Sequence, residues 1–257
     1  MKTIGILMAA GRGTRMNPLT NLIPKPLAKV CISKNTDIKL QKFDGKTLLE
    51  INMINLAPLV DEFVIVIHYL GQQIIDFVGD TFLGKTVQYV WASGYATGTL
   101  DAFRTGIYKS NLKQNVNYIV SNCDNFCGSD YYLQLANFIS TSPDKAALMA
   151  TKILDREMLK KVGVFVIDEQ SNLIRVAEKS SVFVSDLANV GIYYFPSQVK
   201  DLTSKERLDF NEREETITDL FNKYTQKYPI KILCSIDYNI EISTVEDLEV
   251  TYSPCPL

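Results

Sequence analysis

The sequence predicts an α/β fold in which helices flank a mixed, mainly parallel β-sheet. In the first half of the chain, apolar β-type runs alternate with segments of helical spacing, as in right-handed βαβ crossovers. A glycine-rich loop directly follows the first of these runs. In the second half, short β-type runs separated by turns predict an antiparallel or mixed extension of the sheet.

The elements follow from the spacing of apolar residues along the chain. In the first half, the expected strands are Thr3 to Ala9, Glu62 to Ile67, Thr86 to Trp91 and Tyr118 to Ser121. The expected helices between them are Leu48 to Leu56, Gln72 to Val78 and Leu100 to Tyr108. In the second half, strands are expected at Lys145 to Ile153, Gly163 to Ile167, Leu173 to Ala177 and Val190 to Phe195, and helices at Thr216 to Tyr224 and Thr244 to Glu249.

Composition restricts the classes of function. The chain has 257 residues, 46% of them hydrophobic and 22% charged, which is ordinary for a soluble globular protein. A net charge of −2 gives no bulk attraction to nucleic acid or to an anionic membrane, so local charges must hold any anionic ligand. No apolar stretch has the length of a membrane span, and we interpret the N-terminal apolar run as a strand rather than a signal peptide.

Cysteine usage predicts reduced thiols and a cytoplasmic location. The cysteines are odd in number and scattered along the chain. They are Cys31, Cys123, Cys127, Cys234 and Cys255. Cys123 and Cys127 are four residues apart, but no second cysteine or histidine pair accompanies them, so a zinc site is not expected.

The loop after the first strand has the features of a polyphosphate site. Gly11 and Gly13 let the backbone turn tightly and bring its N–H groups to an anion, and a helical turn is expected near Thr14. Arg15 and Lys25 then add full charges: arginine grips phosphate oxygens bidentately, and lysine acts as a mobile point charge. The dinucleotide-binding fingerprint and the P-loop each lack a required residue here.

The loop resembles the signature of a known family. Ala-Ala-Gly-x-Gly-Thr-Arg at residues 9–15, then Pro-Leu-Thr and Pro-Lys-Pro-Leu, looks like the motif of sugar-1-phosphate nucleotidyltransferases, the pyrophosphorylases that make nucleotide sugars. The resemblance implies a Rossmann-like fold of the nucleotide-diphospho-sugar transferase type, with a smaller β-rich part that binds the sugar. It also implies a single domain over 1–257, divided into a nucleotide-binding half (1–130) and an acceptor-binding half (131–257). The sequence shows no hexapeptide repeat, so a fused acyltransferase β-helix is not expected.

The resemblance assigns roles in the nucleotide half. It implies catalytic roles for Arg15, Lys25 and Asp124. The implied nucleotide-binding residues are Ala9, Ala10, Gly11, Gly13, Thr14, Arg15, Gly98 and Thr99.

A magnesium ion is expected, because an anionic phosphate must attack the α-phosphate while pyrophosphate leaves. Asp124 follows a strand, where open α/β sheets bind ligands, although Cys123 replaces the glycine of the family's Gly-Asp pair. The resemblance implies Glu241 as the second metal ligand, with Asp237 as the alternative. Ser243 and Glu246 match a capping box, so we interpret Glu246 and Asp247 as helix-start residues.

The implied acceptor site lies in the second half. Gly163, the Glu178-Lys179 pair and Asn189 match, in order, the family's sugar-approaching glycine, its Glu-Lys-Pro and its Asn-x-Gly-Ile-Tyr. A carboxylate, a cation and an amide suit hydroxyls beside a phosphate.

Nucleobase choice is left open. The glutamine that often reads the base in this family is missing, so Ser93 or Tyr95 would have to replace it. A cytidylyltransferase acting on a non-sugar phosphate such as phosphocholine is therefore an alternative, and a non-catalytic nucleotide-sugar sensor is another.

Residues 31–46 are interpreted as an inserted hairpin or loop. Their four lysines either assist phosphate binding or face solvent, and the second is favoured. The expected partners are a nucleoside triphosphate and a sugar 1-phosphate, without nucleic acid or membrane; the sequence is compatible with a homo-oligomer but does not fix the oligomeric state.

Overall fold

The computed structural model describes residues 1–92, 98–110, 115–203 and 216–251. Its strands are β1 (Thr3–Ala9), β2 (Cys31–Ile32), β3 (Glu62–Ile67), β4 (Thr81–Phe82), β5 (Lys85–Trp91), β6 (Asn117–Ser121), β7 (Asn125–Cys127), β8 (Ala146–Lys152), β9 (Gly163–Ile167), β10 (Leu173–Glu178), β11 (Leu187–Phe195), β12 (Ile230–Ser235), β13 (Asn239–Glu241) and β14 (Glu249–Val250). Its α-helices are α1 (Ile38–Gln41), α2 (Leu48–Leu56), α3 (Gly71–Val78), α4 (Gly98–Lys109), α5 (Ser129–Thr141), α6 (Arg156–Leu159) and α7 (Ile217–Thr225).

One ten-stranded sheet contains strands from both halves of the chain. Its path is β10-β9-β11-β6-β1-β3-β5-β4, with β8 joined to β11 and β12 beside β8. Strands β6, β1, β3 and β5 are parallel, whereas β11 runs antiparallel to β6 and to β8. The predicted mixed, mainly parallel sheet flanked by helices is confirmed, and β11 joins its two parts.

Strand β1 is buried on both faces of this sheet. Because side chains alternate along a strand, Ile4 and Ile6 pack on the side of α4 and α7, whereas Leu7 and Ala9 pack with α2, α3 and α5. The loop that follows Ala9 therefore leaves the sheet from a fixed strand end.

The chain returns near its C-terminus to the parallel half. Strand β13 pairs antiparallel with β7 and sets Glu241 opposite Asn125. Strand β14 pairs with β2, so the segment 31–46 packs against the C-terminal part of the described chain. These two small ladders bring together residues that lie more than a hundred positions apart in the sequence.

The segment 31–46 contains β2 and the short helix α1, whose Asp37 side chain accepts a hydrogen bond from the Lys39 amide at 2.9 Å. Leu40 and Phe43 are buried in a small core with Met16. Its lysines at 34, 39 and 42 are exposed. That this segment is an insertion stays a prediction.

Every strand and helix expected from the sequence is present within two or three residues of its bounds, with one exception. The prediction of a helix at Thr244 to Glu249 is wrong, because this segment contains only a single 3₁₀ turn, Glu246–Leu248, followed by β14. Helix α5 and strand β12 were not foreseen. The sequence of α5 carries local signals, with Gly128 at the N-cap, Asp130 in the first turn and apolar residues at helical spacing behind them. The start of α5 is also stabilised by Asp237, about a hundred residues further along the chain.

The described helices include none that is long and apolar enough to cross a membrane. The four described cysteines are free thiols.

Candidate active site

The glycine loop is shaped by a left-handed residue and a threonine. Gly13 has φ +62°, and a Cβ on it would lie 2.9 Å from the Cβ of Lys25. The Thr20 hydroxyl hydrogen-bonds the Gly13 carbonyl and the Asn17 side chain, both at 2.9 Å. Glycine is needed here both for its backbone conformation and for the close approach of Lys25.

The helical turn expected near Thr14 is a 3₁₀ turn of three residues, Thr14–Met16. Such a short element has little macrodipole, because only a few peptide units align. Any attraction of this loop for an anion therefore comes from its backbone N–H groups and side-chain charges.

A cavity of about 290 Å³, the first cavity, opens between this loop, the ends of β1 and β6 and the start of α4. Seven of the eight expected nucleotide-binding residues line it; Thr14 does not. The lining residues are Met8, Ala9, Ala10, Gly11, Gly13, Arg15, Lys25, Pro26, Ala92, Gly98, Thr99, Ala102, Asn122, Cys123 and Asp124.

Lys25 and Asp124 face each other in the first cavity. The Lys25 Nζ lies 3.8 Å from the Asp124 Oδ2, and their side chains are 13% and 38% exposed. Pro24 and Pro26 flank Lys25 and are buried, so the lysine stem is held while its charge reaches the cavity. The pair leaves both charges accessible to a ligand.

Asp124 is held through its backbone. Its carbonyl accepts a hydrogen bond from the Ile242 amide at 2.9 Å, and the preceding Cys123 has φ +58°, a region that glycine occupies more readily. The Cys123 side chain is buried beneath the sheet. The replacement of glycine by cysteine thus keeps the left-handed turn and adds a buried anchor.

Two carboxylates meet at this point. Burial raises the pKa of Asp124, Lys25 opposes that rise, and the nearby Glu241 carboxylate adds to it. Glu241 in turn accepts a hydrogen bond from the Ser243 hydroxyl at 2.8 Å, and Arg15 donates to the same hydroxyl at 3.2 Å. Arg15, Ser243 and Glu241 therefore form one hydrogen-bonded chain, and Glu241 is near enough to Asp124 to raise its pKa.

Asp237 has a different environment. Its carboxylate accepts hydrogen bonds from the Asp130 amide at 3.2 Å and the Tyr238 amide at 2.9 Å. A Cβ on Gly128 would lie 2.0 Å from its Oδ2, so only glycine fits there. Asp237 thus caps the start of α5, whereas Glu241 lies beside Asp124.

Asp247, rather than Glu246, closes the turn after Glu241. Its Oδ2 accepts hydrogen bonds from the Ser243 and Thr244 amides at 2.8 and 2.7 Å. Partial burial acts to raise the pKa of Asp247, but these two N–H groups outweigh it and the net shift is downward. The charged carboxylate therefore stabilises the turn that presents Ser243.

A second cavity, of about 540 Å³, lies beside the first and shares Thr99 and Asn122 with it. Its lining residues are Thr99, Asn122, Val176, Glu178, Lys179, Asn189, Tyr193, Thr216, Ile217, Thr218, Asp219 and Asn222. Three of the four expected acceptor residues, Glu178, Lys179 and Asn189, are thus together. Gly163 is not in the lining, but a Cβ there would lie 2.9 Å from the Glu178 Oε1, so its role is to admit the carboxylate.

Asn189 is fixed by a bulge in β11. Its Oδ1 accepts a hydrogen bond from the Gly191 amide at 2.9 Å, and its Nδ2 donates to the Tyr193 hydroxyl at 3.0 Å. Asn122 also lies near that hydroxyl and acts to lower the pKa of Tyr193, and a Cβ on Gly191 would lie 2.7 Å from the Asn122 Nδ2. Gly191, with φ +77°, therefore lets the two amides meet at one phenol.

Sequence reasoning missed Asn122, Thr218 and Tyr193 as lining residues. Asn122 stands two positions before Asp124, so the same strand-end argument could have included it. Thr218 has no such signal, because it reaches the cavity only through the packing of α7. The residues considered for base reading, Ser93 and Tyr95, lie outside the described part of the chain.

Comparison with known proteins identifies the family. A family model described as "Nucleotidyl transferase" matches residues 4–234. The chain belongs to the nucleotidyl transferase family. The resemblance to sugar-1-phosphate nucleotidyltransferases is thereby confirmed at the level of the family, and the names of its relatives agree with it.

Two curated relatives illustrate this nucleotidyl transferase's similarity. The bifunctional protein GlmU of Methanocaldococcus jannaschii is 24% identical over 88% of this chain and 48% of its own. A mannose-1-phosphate guanyltransferase of Debaryomyces hansenii is 29% identical over 77% of this chain and 51% of its own. The chain thus spans about half the length of the curated relatives it matches.

Among solved structures, a UDP-glucose pyrophosphorylase complexed with UDP-glucose superposes with a TM-score of 0.76 at 18% identity, over 96% of each chain. This likeness shows that nearly the whole chain shares the fold of that structure.

Proposed function

We propose that this protein transfers a nucleotidyl group from a nucleoside triphosphate to a sugar 1-phosphate and releases pyrophosphate. The observation that carries the proposal is the junction of two cavities at Thr99 and Asn122, with Lys25 and Asp124 in the first. A donor in one cavity and an acceptor in the other would meet beside this charged pair. Holding both reactants in line supplies much of the rate acceleration in such a reaction.

The first cavity suits the triphosphate. Backbone N–H groups of the loop from Gly11 to Thr14 and the Arg15 guanidinium bind its oxygens. Lys25 lies beside Asp124. Its ammonium group neutralises charge on the α-phosphate and on the incoming sugar phosphate. The acceptor phosphate is already ionised, so it attacks the α-phosphate directly; the bond to the β-phosphate breaks, and pyrophosphate leaves with its electrons.

Asp124 and Glu241 fit a magnesium ion. They are hard oxygen donors close enough for one carboxylate to shift the pKa of the other. No group of three acidic, cysteine or histidine ligands occurs within the described ranges, and magnesium needs none, since it takes one or two carboxylates with waters and substrate phosphates. When bound, the ion would neutralise charge on the phosphates. The protein's own contribution is to hold the two carboxylates at the cavity.

The second cavity favours a hydroxylated acceptor. Its described lining offers a carboxylate at Glu178, an ammonium at Lys179 and an amide at Asn189. Quaternary ammonium groups are recognised by aromatic cages. Tyr193 is the one aromatic residue among the described lining residues, and its hydroxyl accepts a hydrogen bond from the Asn189 side-chain amide. These observations support a sugar phosphate over phosphocholine.

Catalysis is proposed over a purely regulatory role. A sensor would need to bind the nucleotide sugar but would have no use for Lys25 and Asp124 in contact. We further propose a cytoplasmic location and no nucleic-acid partner; the nucleobase, the sugar and the oligomeric state are left to experiment.

The test is a substrate panel. Each of ATP, CTP, GTP and UTP is combined with glucose, mannose or N-acetylglucosamine 1-phosphate, or with phosphocholine, and pyrophosphate release is measured with magnesium and with chelator. We expect magnesium-dependent release with at least one sugar phosphate. Release with phosphocholine alone would establish the alternative acceptor, and no release with any pair would contradict the proposal.

A further inference from the structure

Glu178 in the second cavity is fixed by a residue that is not itself expected in the site. Its Oε1 accepts a hydrogen bond from the Thr218 hydroxyl at 2.7 Å. The same oxygen lies against the bare Cα of Gly163, where a Cβ would be 2.9 Å away. The carboxylate of an otherwise exposed side chain is therefore held from two sides.

Thr218 is itself rigidly held by the first turn of α7. The side chain of Thr218 is only 7% exposed, and its neighbour Ile217 is 4% exposed within the core. The Ile217 amide donates to the Thr99 hydroxyl at 2.8 Å, and Thr216 and Asp219 form a capping box. Three successive residues are thus fixed, and Thr99 ties this turn to the first cavity.

The fixed position of Glu178 lowers the entropic cost of binding an acceptor. A free glutamate loses rotamer entropy when a ligand immobilises it, whereas a glutamate already held has little left to lose. One oxygen of Glu178 is taken by Thr218, and its second oxygen is available to a hydroxyl of the ligand. Because the hydroxyl at position 218 donates its hydrogen to Glu178, it acts on the acceptor through the position of that carboxylate.

We propose that Thr218 is a positioning residue for the acceptor: its hydroxyl holds the Glu178 carboxylate ready for a sugar hydroxyl and so sets the affinity for the sugar 1-phosphate. This inference rests on the proposed function. It concerns acceptor affinity alone, because Thr218 touches neither the Lys25–Asp124 pair nor the glycine loop.

The test is the steady-state kinetics of Thr218→Val, which keeps the shape and removes the hydroxyl. With the best pair from the substrate panel, we expect the acceptor KM to rise about 3- to 10-fold. The KM for the nucleotide and kcat should stay within about twofold, and Thr218→Ser should restore the acceptor KM. Thr225→Val, the same change at the other end of α7, is the matched control and should behave as the unaltered protein.

A double-variant cycle separates positioning from general damage. If Thr218 acts through Glu178, adding Thr218→Val to Glu178→Ala, which removes the accepting oxygen, should raise the acceptor KM less than about twofold further. The inference would be overturned if the effects of the two changes on the acceptor KM multiplied. It would also be overturned by an unchanged acceptor KM in Thr218→Val or by a parallel rise in the nucleotide KM. Thr218→Ala serves the same cycle if the valine variant does not fold. No pyrophosphate release by the unaltered protein would instead contradict the proposed function itself, and the inference with it.

Discussion

At the junction of the two cavities, some residues are placed to contact phosphate, and others hold those residues in position. Lys25 and Asp124 lie 3.8 Å apart in the first cavity, whereas Ser243 and Asp247 act behind them. The proposed chemistry therefore depends on a few charges, and the surrounding hydrogen bonds set their positions.

Lys25→Ala tests the proposed charge at the α-phosphate. Removing a preorganised cation from a reacting centre costs about 10²- to 10³-fold in kcat, and we expect a loss of this size in pyrophosphate release. Lys29→Ala is the matched control, because Lys29 is exposed in the same segment and does not line either cavity. Equal losses in both variants would mean that position 25 has no special role.

Asp124→Asn tests the proposed metal ligand at nearly constant shape. An amide binds magnesium far more weakly than a carboxylate, so turnover should fall to background at millimolar magnesium. Initial rates measured over a magnesium titration give the answer. Near-normal rates at low magnesium would show that Asp124 is not a ligand.

Asp247 provides a prediction for pH. Its pKa is lower in the folded protein than the usual 3.8, so its contribution to stability is present above pH 3.8 and is lost as the pH falls through the lower folded value. Asp247→Ala should lower the free energy of unfolding by about 1 kcal/mol at pH 7, as the loss of a cap does. The difference from the unaltered protein should shrink at about pH 3 in urea titrations, and a constant difference would contradict the assignment.

At the scale of elements, the C-terminal return decides which carboxylate faces the cavity. Strand β13 pairs with β7 and carries Glu241 to Asp124, whereas the loop before it carries Asp237 to the start of α5. The two carboxylates are four residues apart in sequence but are bound to different partners.

Paired variants separate these two roles. Glu241→Gln should raise the magnesium concentration for half-maximal pyrophosphate release with little change in melting temperature. Asp237→Ala should do the reverse: the loss of a helix cap costs about 1 kcal/mol, and the magnesium dependence should stay as it is. If Asp237→Ala alone altered the magnesium dependence, the proposed ligand would have to be reassigned.

The sequence predicts the elements whose signals are local. The glycine loop, the Pro-Lys-Pro triplet and the strand before Asp124 are each visible in a short stretch. The contact of Asp237 with the start of α5 is not visible in this way, and neither is the hydroxyl of Thr218 that holds Glu178 from forty residues away. Contacts of this kind depend on tertiary packing, and no pattern within one segment encodes them.

At the scale of the whole molecule, the two halves share one sheet. Strand β11, from the second half, pairs with β6 from the first over four residues, and β8 and β12 continue from it. The two cavities adjoin where these halves meet. Asn122, which lines both cavities, follows β6, and Asn189, which lines the second cavity, belongs to β11.

This arrangement predicts one cooperative unfolding unit. Differential scanning calorimetry of the whole chain should give a single transition, and residues 1–130 expressed alone should lack cooperative unfolding because β6 loses its partner β11 and keeps only β1. Two resolved transitions would contradict the interpretation of residues 1–257 as a single domain.

The proposed reaction joins the α-phosphate of the nucleotide to a phosphate oxygen of the sugar 1-phosphate and releases pyrophosphate. It is tested most directly by ³¹P NMR of a reaction with a sugar 1-phosphate carrying ¹⁸O in its non-bridging phosphate oxygens. We expect unlabelled pyrophosphate and a nucleotide sugar that retains every labelled oxygen, one of them bridging the two phosphorus atoms. Label in the pyrophosphate, or nucleotide hydrolysis without a joined product, would contradict it.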